Sequence, residues 1–96
     1  MPSDYSKDLV NILTMLRNIE EDLNLINYSE TEKKIYYTIA SKNSDNFTCR
    51  ISDVIKESGF SRSTVYKTIK KFEEADLLKM YQSKVDKREI NLVLVH

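Results

Sequence analysis

Residues 61–76 read SRSTVYKTIKKFEEAD, and their pattern is the strongest indication of the type of domain. Ser61 is a residue type that caps helix N-termini, because its hydroxyl can accept a hydrogen bond from an unpaired backbone N–H group. Val65, Ile69 and Phe72 follow at the i, i+4 and i+7 spacing of a buried helical face. Residues 61–71 contain four bases and no acid. The stretch therefore predicts a helix with an apolar inner face and an outer face of hydroxyl groups and cations.

A shorter helix is predicted just before this one, over residues 53–58. Ser52 is its expected N-cap, Val54 and Ile55 would point inward, and Gly59 would form the turn that ends it. Two helices joined by a turn that contains glycine form a helix-turn-helix unit. In such a unit the second helix enters the DNA major groove.

Two β-strands are predicted after the second helix. Residues 77–82 and 89–95 have β-prone, apolar patterns, and residues 83–88 between them are polar and charged. This arrangement predicts a hairpin. A hairpin next to a helix-turn-helix unit is a wing, and a basic tip can lay an arginine in the adjacent minor groove.

The N-terminal part is predicted to form one long helix over residues 5–26. Its apolar residues recur at spacings of 3, 4, 3, 4 and 3, which is a heptad seam. The seam consists of Leu9, Ile12, Leu16, Ile19, Leu23 and Ile26. Such a helix is about 33 Å long, more than one small domain can cover. We expect the seam to pair with a second copy of the chain; packing within the chain is the alternative.

The middle of the sequence completes the predicted order of elements. Ser29 and Glu32 have the spacing of a capping box, which starts a second helix that runs to about Lys42. Residues 47–51 form a short segment of β-prone residues, which predicts one small strand. The predicted fold is mainly α with a small β-hairpin (α+β). Residues 1–28 would form a helix for dimerisation, and residues 29–96 a winged-helix DNA-binding domain.

The charge of the chain is divided unevenly along its length. The 96 residues include 15 bases and 15 acids. Residues 1–32 contain seven acids and two bases, a net charge of −5, so residues 33–96 have a net charge of +5. A cationic surface can hold a polyanion by releasing its counterions. The alternative explanation for these basic residues is that they form a solvated helix face.

Several other classes of function have little support in the sequence. His96 is the only histidine, and one glycine cannot build a phosphate-binding loop, so we expect neither an enzyme nor a cofactor or metal. Cys49 is the only cysteine and lies in an apolar segment; we expect a buried hydrophobic residue rather than a redox sensor. We also expect no membrane span and no export signal, and therefore a cytoplasmic protein.

Two stretches resemble known regulators. Residues 61–78 resemble the recognition helix and following strand of winged-helix transcriptional regulators. Asp86-Lys87-Arg88, followed by Leu92 and Leu94, resembles the D-x-R wing signature of the multiple-antibiotic-resistance regulator (MarR) family. The resemblance covers residues 29–95. It implies that Arg88 enters the minor groove and that Asp86 orients it.

The resemblance also bears on the dimer. MarR-like regulators continue after the wing into long helices that take part in dimerisation, whereas this sequence ends at His96. The resemblance therefore implies a homodimer that rests on residues 5–26 alone. It identifies no small-molecule effector.

We expect the DNA contacts to come from the outer face of the recognition helix and from the wing. The expected contact residues are Ser61, Arg62, Ser63, Thr64, Tyr66, Lys67, Lys70, Lys71, Lys84, Lys87 and Arg88.

The predicted function is a sequence-specific, dimeric, double-stranded DNA-binding transcriptional regulator, most simply a repressor. Three alternatives stay open: a winged-helix protein-interaction module, a plasmid or phage replication or partition protein, and an RNA-binding winged helix.

Overall fold

The computed structural model describes residues 3–44, 48–85 and 88–95. Within these residues the elements follow the predicted order of helix, helix, strand, helix, helix, strand, strand, so the predicted α+β fold is confirmed. The elements are α1 (Ser3–Asp22), α2 (Glu30–Ser44), β1 (Cys49–Arg50), α3 (Ile51–Ser58), α4 (Arg62–Glu74), β2 (Leu78–Gln82) and β3 (Ile90–Leu94).

The three strands form one antiparallel sheet in the order β1-β3-β2. Leu92 of β3 pairs with Cys49 on one side and with Met80 on the other. Beyond the end of β1, the side chain of Asn43 takes the place of a strand residue. Its amide donates to the carbonyl of Leu92 at 3.2 Å and its oxygen accepts from the N–H of Leu94 at 2.9 Å. These bonds fix the end of α2 to the sheet.

One hydrophobic core lies between the sheet and helices α2, α3 and α4. Phe72 is fully buried, and the rings of Tyr28 and Tyr36 meet its ring edge-on at centroid distances of 5.3 and 5.7 Å. The buried apolar residues are Leu25, Ile35, Tyr36, Ile39, Cys49, Ile51, Val54, Val65, Ile69, Phe72, Leu77, Leu78 and Leu92.

The first helix ends earlier than predicted, at Asp22 rather than at residue 26. Asn24 adopts a left-handed backbone with φ of 60°. The N–H of Asn24 donates to the carbonyl of Glu21, and that of Leu25 to the carbonyl of Glu20. These two bonds form a Schellman motif, which satisfies the last carbonyls and reverses the chain. The reversal places Leu25 in the core, where it is fully buried.

The third helix begins earlier than predicted, at Ile51, with Arg50 as its N-cap. Ser52 is therefore not the cap; the carboxylate of Asp53 accepts a hydrogen bond from the N–H of Arg50 at 3.2 Å instead. Asp53 does so because it lies at the third helical position, from which an acidic side chain can reach back. Gly59 ends the helix with φ of 77°, as predicted.

Candidate nucleic-acid interface

The start of α4 is fixed by hydroxyl groups. Ser61 is the N-cap, as predicted, and its Oγ accepts a hydrogen bond from the N–H of Thr64 at 3.3 Å. The same hydroxyl donates to Oγ1 of Thr64 at 2.9 Å and lies 3.3 Å from the hydroxyl of Ser63. Ser61 and Thr64 therefore stabilise the helix start, while Ser63 points outward from it.

The two faces of α4 are divided as the sequence predicts. Val65, Ile69 and Phe72 are buried. Thr68 is buried beside them, which the prediction did not include, although its position on a helical wheel is next to that of Phe72. The opposite side is exposed to solvent and carries Ser63, Lys67 and Lys70. Arg62, in the first turn, and Tyr66 are also exposed.

Lys71 differs from the other lysines of α4. Its Nζ lies 2.9 Å from Oε2 of Glu32 and 5.1 Å from the ring centroid of Tyr28. The hydrogen bond to Glu32 raises the pKa of Lys71, and the same bond lowers the pKa of Glu32. Glu32 also completes the predicted capping box of α2 with Ser29. Lys71 is thus paired within the chain, in a contact between residues 39 positions apart that sequence spacing does not reveal.

The hairpin is closed by a hydrogen bond from the N–H of Ser83 to the carbonyl of Glu89 at 2.9 Å. The loop end of the hairpin is joined to the start of α3, because Nε of Arg50 lies 3.5 Å from Glu89 and 3.6 Å from Asp53. Lys84 and Arg88 are exposed near the tip. Asp86 and Lys87 lie outside the described residues, and so does the expected contact between Asp86 and Arg88.

A second exposed surface lies on α1. Four of the six predicted seam residues project from the helix with exposed side chains, namely Leu9, Ile12, Leu16 and Ile19. Ile26 is 38% exposed, and Leu23 packs partly against the core; both lie beyond the end of the helix. An apolar stripe of this size is a usual mark of a protein–protein contact.

The end of α1 is attached to α2 by a polar cluster. The hydroxyl of Tyr37 donates a hydrogen bond to Oε2 of Glu20, and Nζ of Lys33 lies 3.4 Å from Oε1. Glu20 itself is buried. The hydrogen bond from Tyr37 lowers the pKa of Glu20, while burial, followed by the bond to Glu20, raises the pKa of Tyr37. The cluster orients the exposed part of α1 relative to α2.

Other kinds of site have little to support them in the described part of the chain. There, no group of three or more His, Cys, Asp and Glu side chains comes together to hold a metal. Cys49 is buried, as predicted, and burial raises the pKa of its thiol to about 11. The reactive thiolate is therefore disfavoured at neutral pH. None of the described helices is both long and apolar enough to cross a bilayer.

The chain is similar to one protein family and to several solved structures. The family model for Firmicute plasmid replication protein (RepL) matches residues 6–93. The heme sensor PefR of Streptococcus agalactiae, in complex with heme, matches with a TM-score of 0.63 at 21% identity, over 99% of this chain and 64% of PefR. S. aureus MepR, in a complex with DNA, matches with a TM-score of 0.63 at 17% identity, over 98% of this chain and 72% of MepR.

BpsR of Bordetella bronchiseptica has a TM-score of 0.63 at 16% identity, over 79% of this chain and 51% of BpsR. These three proteins are MarR-family regulators, so the predicted MarR-like winged-helix fold is confirmed. The chain spans less than two thirds of the length of PefR and BpsR. No curated protein sequence matches it.

Proposed function

Because the chain belongs to the family of Firmicute plasmid replication proteins (RepL), we propose that it binds a duplex DNA site on a plasmid, without a catalytic step of its own. The cationic, hydroxyl-bearing face of α4 carries this proposal. Lys67 and Lys70 are exposed there, on the side of the helix opposite the buried Val65 and Ile69, and Arg62 is exposed in the first turn. A helix with this division can enter the major groove, with short polar side chains at base edges and cations at phosphates.

The proposal assigns different roles to the expected contact residues. Ser63 and Tyr66 would contact base edges from the first turns of α4, and Arg62, Lys67 and Lys70 would contact phosphates. Arg88 would enter the minor groove, with Lys84 and Lys87 near the backbone. Ser61 and Thr64 would act mainly by holding the helix start, and Lys71 would contribute less because it is paired with Glu32.

The exposed stripe of α1 favours a dimer. Residues 1–28 would be the dimerisation element and residues 29–96 the DNA-binding domain. A helix of 20 residues is about 30 Å long. Paired α1 helices could therefore separate two α4 helices by about the 34 Å between successive major grooves on one face of the duplex. The twofold symmetry of such a dimer would match an inverted-repeat DNA site.

Two places for the DNA site are supported by different observations. Family membership favours a site in a plasmid replication origin, where the dimer would mark the point at which replication begins. The fold shared with MarR-family regulators, one of them solved with DNA, favours a promoter, where the dimer would regulate transcription as the sequence predicts. In both cases the protein would act in the cytoplasm and would use the same surfaces.

The test is selection of bound duplexes from a random pool, preceded by sedimentation of the free protein. We expect a dimer and an inverted-repeat consensus with half-sites about 34 Å apart. Finding that consensus in the plasmid's replication origin supports the first place, and finding it at a promoter supports the second. If the protein does not shift random duplex DNA in a gel at low salt, the proposal of DNA binding is wrong. A protein-interaction module then becomes the better explanation. Stronger competition by RNA than by DNA would favour the RNA-binding alternative.

A further inference from the structure

A furrow separates α4 from the hairpin. Its wider part, about 380 Å³, is lined by apolar side chains of three elements: Ile51 of α3, Ile69 of α4, and Met80 and Ile90 of the hairpin. A narrower part, about 200 Å³, continues toward the start of α3. Ile51 and Ile90 line both parts, as does Tyr66, so the two depressions are continuous.

Both parts of the furrow are also lined by cationic side chains. Lys67 and Lys70 line the wider part, and Arg62 and Arg88 line the narrower part. Among the described residues, Glu89 is the one acid that lines either part. Its carboxylate lies 3.5 Å from Nε of Arg50, which offsets its charge. The furrow thus combines apolar side chains with cations in both of its parts.

We propose that this furrow holds the sugar–phosphate backbone of one DNA strand, with deoxyribose against the apolar side chains and phosphates at Arg62, Lys67 and Lys70, while Arg88 extends past that strand toward the minor groove. The inference rests on the proposed function. The major and minor grooves of a duplex are separated by a single backbone strand. If α4 enters one groove and the hairpin tip the other, the strand between them must lie over this furrow.

The chemistry of the lining adds a preference for deoxyribose. The C2′ methylene of deoxyribose is apolar and fits against Met80 and Ile90. A ribose 2′-hydroxyl at the same place would lose its water, and the aliphatic and thioether groups there offer at most a weak acceptor in return. Burial of an unsatisfied hydroxyl is unfavourable, so the furrow would select DNA over RNA at the sugar.

The experiment scans the selected duplex with single ribonucleotide substitutions, one sugar at a time on each strand. We expect binding to fall by roughly 10-fold at adjacent sugars of one strand in each half-site and to change little elsewhere. A parallel scan uses 2′-fluoro nucleotides, which favour the same sugar pucker as ribose but carry no hydroxyl. We expect those duplexes to bind almost as well as unmodified DNA.

Variants locate the effect in the furrow. Met80→Gln keeps the length of the side chain and supplies an amide for the 2′-hydroxyl, so the ribose penalty should shrink toward zero. Val93→Thr is the matched control, because Val93 is exposed on the face of the sheet opposite Leu92. It should leave the penalty unchanged. Thermal melting of both variants checks that they fold.

The scan on the unaltered protein decides the matter even if Met80→Gln fails to fold. Tight binding of DNA with no sensitive sugar overturns the furrow proposal and leaves the proposed function standing. Equal losses with ribose and 2′-fluoro substitutions also overturn it, since pucker rather than burial would then be responsible. Failure to bind any duplex overturns both proposals.

Discussion

Nζ of Lys71 lies 2.9 Å from Oε2 of Glu32, and this ion pair joins α4 to the first turn of α2. Lys70, the preceding residue, is exposed on the outer side of α4. Two adjacent lysines of one helix therefore have different surroundings: Lys71 has an anionic partner within the chain, and Lys70 faces solvent at the proposed DNA surface.

Lys70→Ala should weaken binding to all DNA sequences alike and reduce the slope of log K against log salt by about one, because one phosphate contact is lost. Lys71→Ala should change that slope by less. Lys79→Ala is the control, because Lys79 is exposed on β2, whose neighbour Leu78 points into the core. Salt titrations of all three variants provide the comparison. An unchanged slope for Lys70→Ala would rule out a phosphate contact there.

Glu32→Gln should steepen the salt slope, because Lys71 loses its anionic partner and can reach a phosphate. Glutamine still suits the capping box, so α2 should keep its start. Glu30→Gln removes the same charge two residues away in α2, where Glu30 is almost fully exposed and 3.8 Å from Lys33. Equal effects of the two substitutions would mean that only net charge matters.

Ser63→Ala should change which DNA sequences are selected more than it changes overall affinity, since its outward hydroxyl is placed to reach a base edge. Ser61→Ala should instead lower the free energy of unfolding by about 1 kcal/mol, because the N-cap hydrogen bond to Thr64 is lost. Site selection and urea denaturation of both variants separate the two roles. The same consensus from Ser63→Ala as from the unaltered protein would refute base contact by this hydroxyl.

Ile12→Asp should convert the proposed dimer into a monomer, because a carboxylate would be buried unpaired between two α1 helices. Asn18→Asp is the control, since Asn18 lies on α1 but off the apolar seam. Sedimentation measures the oligomeric state, and DNA binding should weaken together with dimerisation. A dimer that survives Ile12→Asp would place the interface elsewhere.

The Glu20 carboxylate should make stability depend on acid pH. Its pKa is lowered, chiefly by the hydrogen bond from Tyr37, from an ordinary value of 4.5. Because the pKa of Glu20 is lower in the folded state, the stabilisation that its ionised carboxylate provides is complete above about pH 4.5. This stabilisation is lost as the pH falls through the pKa of Glu20 in the folded protein. Glu20→Gln should therefore be less stable by about 1 kcal/mol at pH 7, with a difference that narrows below pH 4. Denaturation at several pH values measures this. A constant difference would show that the charge of Glu20 is not involved.

Much of the fold follows from local pattern. The spacing of Val65, Ile69 and Phe72 fixes one face of α4, and the caps at Ser29, Ser61 and Gly59 are where the sequence predicts them. The ends of helices were less predictable. Asn24 and Asp76 both adopt left-handed backbone, a conformation usually assigned to glycine, and each ends a helix with hydrogen bonds to carbonyls of the preceding turn.

The order of elements and the division of α4 into a buried and an exposed face follow from the sequence alone, because both depend on residues only a few positions apart. By contrast, the packing of the folded chain pairs Lys71 with Glu32, joins Glu20 to Tyr37, and brings Ile51, Met80 and Ile90 together along one furrow. These contacts join residues that are distant in the chain. Their distances depend on how whole helices and strands pack, which no local periodicity encodes.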